Sequence, residues 1–376
     1  MKRLVVFNQH SSFITIDIVN AFVEKQEYDE IVLVTGVVNE RDVKLNSAVK
    51  VIKTSPYKKD NIRTRLVSWL KAFIKFLWVV TFRYHSCDVF MVSNPPLISF
   101  FPYFSRKEYS VLIFDVYPDA LSAGGLVSEH SLLYRGWVKA NYKFYRNAMR
   151  IYTISEGMKK RISQYADANR IEVISLWSSF KPEIIERDRN VFIQEHDLVD
   201  KFVIMYSGNM GKGCGLEAIV ESAKRLADNK EIVFFFIGDG WSVPCLKQKV
   251  DEYNIHNCYF LPYQDASILR FSLSAADVAV ISLPGATGSI SIPNKLYTLI
   301  ALGRPLLCLT PEGTDLYDIV TKSNIGKCFE PQDVDDITAY ILKMQGDTVY
   351  RQAINANAIK ASFQFTSDNA KLIKAR

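Results

Sequence analysis

The sequence predicts an α/β protein made of two doubly wound sheets, one following the other along the chain. Three observations carry this. Short apolar runs alternate with segments of helical period from end to end. Those runs are continuous rather than alternating in polarity, the pattern of parallel strands buried on both faces. The chain, at 376 residues, is long enough for two domains, and its strand pattern restarts after a charged break near residues 178–200.

In the first half the strand-like runs are Leu4–Phe7, Ile31–Val34, Val49–Ile52, Val89–Val92, Val111–Phe114, Ile151–Ile154 and Ile171–Ile174. In the second they are Phe202–Tyr206, Ile232–Ile237, Cys258–Leu261, Val278–Leu283, Pro305–Leu309 and Gly326–Phe329. The helix-period segments between them supply the crossovers that parallel pairs need. The break opens with Ser178-Ser179-Phe180-Lys181-Pro182 and runs on through Glu186-Arg187-Asp188-Arg189. This gives a first domain over 1–178, a linker over 179–200 and a second domain over 201–376, whose last helix could pack back on the first. Doubly wound sheets bind ligands beyond the carboxyl ends of their strands. The crevice is therefore expected there, where the two domains face each other.

Composition excludes several classes. A hydrophobic fraction of 48% and a charged fraction of 23% suit a folded globular chain rather than a disordered one. The six cysteines form no CxxC pair and mostly lie in apolar runs, as buried thiols of a reducing cytoplasm do. The apolar run after Met1-Lys2-Arg3 is too short for a signal peptide and reads as a first strand. Charge is uneven. Residues 1–180 hold 25 Lys/Arg and 16 Asp/Glu, whereas residues 181–376 hold 21 and 24. A basic first half and a slightly acidic second half imply different partners for the two.

Residues 57–84 concentrate that basic charge. Lys58, Lys59, Arg63, Arg65, Lys71, Lys75 and Arg83 face the single acid Asp60. Leu66, Leu70, Phe73 and Leu77 share a helical face, while Trp69, Phe76, Trp78 and Phe82 extend the apolar surface almost all round. Lysines inside the apolar window argue against a spanning helix. Two readings stay open: a basic aromatic helix lying in the interface of an anionic membrane, or a core helix whose lysines snorkel.

Three loops could carry chemistry. Tyr206-Ser207-Gly208-Asn209-Met210-Gly211-Lys212-Gly213-Cys214-Gly215 lies between a strand and the helix expected over Leu216–Leu226. Glycines there let the backbone approach a ligand, and a helix N-terminus with Lys212 beside it attracts an anion. A purely structural turn accounts for the same residues. Phe236-Ile237-Gly238-Asp239-Gly240-Trp241 follows the next strand, with Asp239 either a helix cap or part of the same crevice. The third loop, Gly285-Ala286-Thr287-Gly288-Ser289-Ile290-Ser291-Ile292-Pro293-Asn294-Lys295, leads into a helix that stops at Gly303. A second lysine-flanked helix start makes a cradle for a diphosphate. In the first half, His10 sits in the loop after the first strand, and Asp115 and Asp119 follow a buried strand. Each is open to a cleft role or to a local polar or capping role. The one Asp-x-Asp, Asp333-Val334-Asp335, starts a helix and reads as capping rather than a metal site.

Together these segments resemble the retaining glycosyltransferases of family 4, which have the GT-B fold. The resemblance rests on SGNMGKGCGLEAI, FIGDGW, SAADVAVISL and IPNKLYTLIALGRP in the second half, and on SNPPL, FDVYPDA and ISEGMKKRI in the first. It is nearest to bacterial enzymes that build capsule, O-antigen or exopolysaccharide units on lipid carriers. It implies transfer of a hexosyl or N-acetylhexosaminyl group from a nucleotide-diphosphate donor, with uridine diphosphate as the nucleotide, to a lipid-linked or saccharide acceptor. On that basis Lys212, Lys295 and Asp115 are the catalytic candidates. Donor contacts are assigned to Gly208, Asn209, Gly211, Gly238, Asp239, Gly240, Tyr263, Ser289, Ile290, Ser291, Pro293, Asn294 and Thr298. Acceptor contacts are assigned to His10, Asn94 and Asp119. No cofactor, metal or nucleic-acid partner is expected, and the site of action is the cytoplasmic face of the inner membrane. One departure stands out. The family often has two glutamates eight positions apart, the second holding the donor ribose, but here those positions are Ile290 and Thr298. Two alternatives remain: a nucleotide-sugar epimerase of the same fold, or a non-catalytic member that binds the donor without turnover.

Overall fold

The computed structural model describes residues 1–58, 61–123, 125–283 and 292–376. They divide into two units, Met1–Ser179 together with Ser367–Arg376, and Phe180–Thr366.

The first unit is built on seven parallel strands: β1 (Arg3–Phe7), β2 (Glu30–Thr35), β3 (Lys50–Lys53), β4 (Asp88–Val92), β5 (Tyr109–Ile113), β6 (Arg150–Thr153) and β7 (Ile171–Val173). Their order across the sheet is β3-β2-β1-β4-β5-β6-β7. Leu4 of β1 stands opposite Ile31 on one side and Asp88 on the other. Every residue from Leu4 to Phe7 and from Tyr109 to Ile113 is buried, so both faces of the sheet are covered. A separate two-strand pairing, His10–Ser11 with Val37–Val38, lies beyond the ends of β1 and β2. No hydrophobic period announces so short an element. His10 therefore belongs to a short strand rather than the open loop expected of it.

The second unit repeats the plan with β8 (Phe202–Ser207), β9 (Ile232–Ile237), β10 (Cys258–Leu261), β11 (Val278–Ser282), β12 (Leu306–Leu309) and β13 (Gly326–Phe329). The order is β10-β9-β8-β11-β12-β13, again all parallel. Each sheet thus reverses direction beside its first strand, and loops diverge at that point to leave a ligand crevice at the carboxyl ends. Phe202, Ile204 and Tyr206 of β8 join Ile232, Phe234 and Phe236 of β9 in one core cluster with Leu216, Ile219, Val220 and Ala223.

Residues 180–200 are not a free linker. Arg187 donates to Asp277 at 3.1 Å and to the carbonyl of Lys201 at 2.8 Å. Asn190 is fully buried, caps the short helix Val191–Glu195 and donates to the carbonyl of Phe271 at 2.9 Å. The charged letters that suggested solvent are here the polar anchors of the second unit. Ser367–Arg376, in turn, belongs to the first unit. Ser110 donates to the carbonyl of Ala375 at 2.9 Å, and the amide of Lys374 donates to the Tyr152 hydroxyl at 3.0 Å.

Helix α1 (Ile62–Trp78) begins at Asn61, which exchanges hydrogen bonds with Thr64 in a capping box. It buries Trp69, Ala72, Phe73 and Phe76. The face expected from the sequence is split: Phe73 is buried, Leu77 is half-buried, and Leu66 and Leu70 are exposed. Among the described residues no helix is long and apolar enough to cross a membrane.

Arg304 follows the glycine that ends the helix Lys295–Ala301 and is only 8% exposed. Its guanidinium donates to the carbonyls of Leu302 (2.8 Å), Ser274 (3.0 Å) and Ala276 (3.1 Å). Replacing it leaves three carbonyl groups without that donor. Arg304→Met is expected to cost about 2–3 kcal/mol of unfolding free energy in urea titration; a change below about 0.5 kcal/mol would remove this residue from the unit's framework.

Candidate functional site

In the second unit the candidate residues gather past the carboxyl ends of β8, β9 and β10. The loop after β8 and the loop after β9 are laced together by backbone. The amide of Gly208 donates to the carbonyl of Ile237 at 2.9 Å, and that of Met210 to Asp239 at 2.8 Å. Two glycines make this approach possible. A Cβ on Gly238, whose φ is +131°, would stand 2.1 Å from the Gly208 carbonyl oxygen. A Cβ on Gly208 would stand 2.6 Å from the Lys295 ammonium. Only hydrogen fits at either place.

Helix α2 (Glu217–Arg225) starts after this loop, one residue later than expected. Its apolar residues Ala218, Ile219, Val220 and Ala223 are buried, Glu217 lies in its first turn, and Lys224 and Arg225 lie in its last, as the helix dipole favours. Lys212 is exposed, with its ammonium 5.3 Å from the Trp241 ring centroid. Gly211 accepts a hydrogen bond from the Ser242 hydroxyl at 2.8 Å, which fixes the loop to the start of helix α3 (Val243–Glu252).

Lys295 is the first residue of helix α4 (Lys295–Ala301). Its ammonium lies 4.0 Å from the centroid of the Tyr206 ring, and no carboxylate among the described residues pairs with it. Burial pushes its pKa down to about 8, with Cys214 opposing slightly. The side chain is thus a desolvated cation held over an aromatic face. Tyr206 is locked in turn, because its hydroxyl donates to the carbonyl of Asn209 at 2.7 Å. Thr298 lies one turn along α4, on the same side as Lys295 by the three-residue spacing. Pro293 and Asn294 immediately precede the helix, but Asn294 makes no side-chain cap. Ser289, Ile290 and Ser291 lie outside the described residues.

Beside this cradle is a cavity of about 490 Å³ lined by Gly238, Asp239, Val243, Lys247, Phe260, Leu261, Pro262 and Tyr263. Phe260 stacks on Phe236 with centroids 5.0 Å apart, and the Lys247 ammonium lies 5.6 Å from the Phe260 centroid. The cavity joins a planar apolar wall to polar groups, which suits a flat heteroaromatic ring. Sequence reading missed Lys247 and Phe260, and gave Tyr206 no role of its own. Their one available signal is position, at or just after the carboxyl ends of β8 and β10 and on α3.

In the first unit, β1, β4 and β5 are adjacent, and the residues after them meet. The amide of Gln9 donates to the carbonyl of Asn94 at 2.7 Å. The Ser93 hydroxyl accepts from the amides of Phe114 (2.9 Å) and Asp115 (3.4 Å). The loops that carry His10, Asn94 and Asp115 are thus tied together past the ends of these strands. Asp115 is reached by water yet surrounded by protein, and the resulting desolvation raises its carboxyl above the ordinary carboxylate range. Asp119 does not join them as an open group. It is 4% exposed, and one carboxylate oxygen takes both the Arg161 guanidinium, at 2.9 Å, and the Tyr134 hydroxyl. Its job is to fasten helices to the turn after Asp115, and a sequence pattern cannot reveal partners 15 and 42 residues away. Among the described residues no group of three or more His, Cys, Asp or Glu side chains is placed to hold a metal ion.

A lysine whose pKa falls from 10.5 to about 8 on folding destabilises the fold. Below pH 8 that cost is present in full, on the order of 3 kcal/mol, and it fades as pH rises towards the unfolded value. Lys295→Met should therefore unfold at higher denaturant than the parent at pH 7, with the gap narrowing by pH 10. Equal stability at pH 7 would contradict a desolvated cation.

Residues 188–361 match the model of the family described as glycosyl transferases group 1. Among curated proteins, a probable glycosyltransferase of Pseudomonas aeruginosa, WbjE, is 28% identical over 247 residues, covering 64% of this chain and 62% of that one. A putative colanic acid biosynthesis glycosyl transferase of Escherichia coli, WcaI, is 28% identical over 200 residues, covering 52% and 49%. The match thus spans 62% and 49% of the length of these two relatives. Among solved structures, HepE of Anabaena in complex with UDP-glucose superposes with a TM-score of 0.70 at 13% identity, covering 99% of this chain and 98% of that one. WaaG, a glycosyltransferase involved in lipopolysaccharide biosynthesis, gives 0.67 at 13% identity, covering 96% and 95%. Residues 188–361, most of the second unit, are thus similar to the group 1 glycosyl transferases, and the fold of the chain is that of GT-B enzymes.

Proposed function

We propose that the chain is a glycosyltransferase of bacterial surface polysaccharide assembly, taking a sugar from a nucleoside-diphosphate donor held by the second unit. The observation that carries this reading is Lys295, an ammonium fixed over Tyr206 and next to Gly208 with no carboxylate to neutralise it among the described residues. A desolvated cation without a partner is costly, and a diphosphate that completes the pair explains its retention. The cavity beside it accepts the base, with Tyr263 and Phe260 as its walls. Uridine diphosphate is the nucleotide we propose. Support for it comes from HepE, solved with UDP and with UDP-glucose; the names of WbjE and WcaI support sugar transfer, and that of WcaI a polysaccharide product.

In this reading the acceptor hydroxyl oxygen forms a bond to the anomeric carbon as the bond from that carbon to the diphosphate breaks. The diphosphate leaves with the electron pair, and Lys295 and Lys212 offset its growing charge. The hydroxyl proton passes to Asp115 or to an oxygen of the leaving phosphate. Asp115, with a raised affinity for protons, suits the first route. His10 and Asn94 flank the acceptor, and Thr298 takes the place of a ribose-binding carboxylate with a neutral hydrogen bond. Because two lysines do the work of a cation, we propose that no metal is required. Retention of configuration and a hexosyl or N-acetylhexosaminyl donor group belong to the same proposal.

Calorimetric titration with UDP tests the donor half. Binding should occur with the same affinity with and without a chelator; binding that vanishes with chelator overturns metal independence, and no binding in either condition overturns the donor assignment. Asp115→Asn tests the acceptor half. Sugar transfer should fall by about 10²–10⁴-fold while UDP affinity stays within a factor of about two. A parallel loss of UDP affinity would show that Asp115 serves the donor instead.

A further inference from the structure

Helix α1 carries apolar side chains on two faces, and its own unit covers only one. On the inner face Phe76 stacks on Phe7 with centroids 4.1 Å apart, and Trp69 stacks on Tyr57 at 6.3 Å. On the outer face Leu66, Val67, Leu70, Ile74 and Trp78 are 45–56% exposed. Phe82, in the widened turn Val79–Arg83 that continues the helix, is 71% exposed. Phe104 meets Phe73 edge-on at 6.1 Å and is 66% exposed, so it extends the same surface. An ordinary surface helix turns charged and small polar residues outward. Here large apolar groups stand where those belong.

Cations are set among them. Arg63 and Lys71 are exposed on the outer side, Arg83 follows Phe82, and the Lys75 ammonium sits 4.6 Å from the Trp78 ring centroid. None of these four has a carboxylate partner among the described residues. Between Asp42 and Asp88 the sequence has one acid, Asp60, which lies outside the described residues. The surface therefore needs an occupant that takes up apolar side chains and brings its own negative charge.

We propose that this face lies in the interfacial layer of an anionic lipid bilayer. The apolar side chains would enter the acyl boundary, Trp78 would sit at headgroup depth, and Arg63, Lys71, Lys75 and Arg83 would meet lipid phosphates. A second copy of the chain is a poor occupant, because a two-fold contact would press these uncompensated cations together.

The covered side of the same helix gives the docking its use. Trp69 meets Tyr117 edge-on at 6.2 Å, and Tyr117 is two residues from Asp115. The helix, roughly 10 Å across, thus stands between the proposed lipid face and the residue two positions from the candidate acceptor carboxylate. An acceptor anchored in the bilayer, with its sugar in the headgroup layer, is the class this placement favours. Only that last step rests on the proposed function; the docking does not.

Flotation of the full chain with vesicles of phosphatidylcholine, or of equal parts phosphatidylcholine and phosphatidylglycerol, tests the docking. At low salt, recovery with the anionic vesicles should exceed that with neutral ones at least tenfold, and it should fall in about 1 M salt. Each of Arg63→Ser and Lys71→Ser should lower partitioning about fivefold. The triple variant Leu70→Ser, Ile74→Ser, Trp78→Ser should abolish it while still binding UDP, since the changed side chains are exposed. Equal recovery with both vesicle types, recovery with neither, or full recovery of the triple variant overturns the proposal. So does a lipid-free dimer that the triple variant dissolves, which would assign the face to a second copy. Failure to float leaves nucleotide binding untouched, and failure to bind UDP leaves flotation untouched, so the two readings fall separately.

Discussion

The second unit is organised around a backbone contact that leaves no room for a side chain. The carbonyl of Gly208 occupies the place where a Cβ of Gly238 would be. With that contact made, the loops after β8 and β9 become one surface, tied by the Gly208 and Met210 amides. The surface is then low enough over Gly208 for the Lys295 ammonium to reach in from α4 and rest against Tyr206. A side chain at either glycine would separate the loops or displace the lysine. Much of the electrostatic character of the site follows from this steric condition. The lysine is desolvated because backbone has closed around it, and desolvation brings its pKa down to about 8. The cavity lined by Tyr263 and Lys247 shares Gly238 with this contact.

Much of this architecture could be read from the letters. Runs such as Val203-Ile204-Met205-Tyr206 and Ile232-Val233-Phe234-Phe235-Phe236-Ile237 admit little but buried parallel strands, and all thirteen expected strands are present within two residues of their expected ends. Strand order was not legible, because it depends on which apolar edges meet and not on any one run. The residues 180–200 show the opposite limit. Arg187 and Asn190 look like solvent-facing linker by composition, yet their partners Asp277 and Phe271 lie far along the chain. Local sequence carries no record of such pairings.

The sites divide in the same way. Gly208, Gly238 and Lys295 were legible as candidates because glycine and lysine between a strand and a helix suit a close backbone approach or an anion. Tyr206 and Phe260 were not, since an aromatic at the end of a strand reads as core until the neighbouring cation is seen. Asp119 misled for a physical reason: a carboxylate after a buried strand resembles a site residue whether it faces solvent or an arginine, and Arg161 decides which. Helix α1 resisted a single reading because both faces are apolar. Periodicity measures how apolar residues are spaced, and it cannot say that Trp69 and Phe76 are covered while Leu70 and Ile74 are not.

The return of residues 367–376 to the first unit has a consequence for how the chain comes into being. Lys25 holds the carbonyl of Ile373, Asn369 holds that of Ser175, and Arg376 reaches Asp88 and Glu108. On a ribosome these residues emerge only after the whole of 180–366 has been made. The first unit must therefore wait, with its sheet nearly complete but a flank unfinished, while the second has every residue it needs. The half that is translated first is thus the half whose last residues are made last, and a chain interrupted before residue 367 would hold every residue of the second unit while lacking ten of the first.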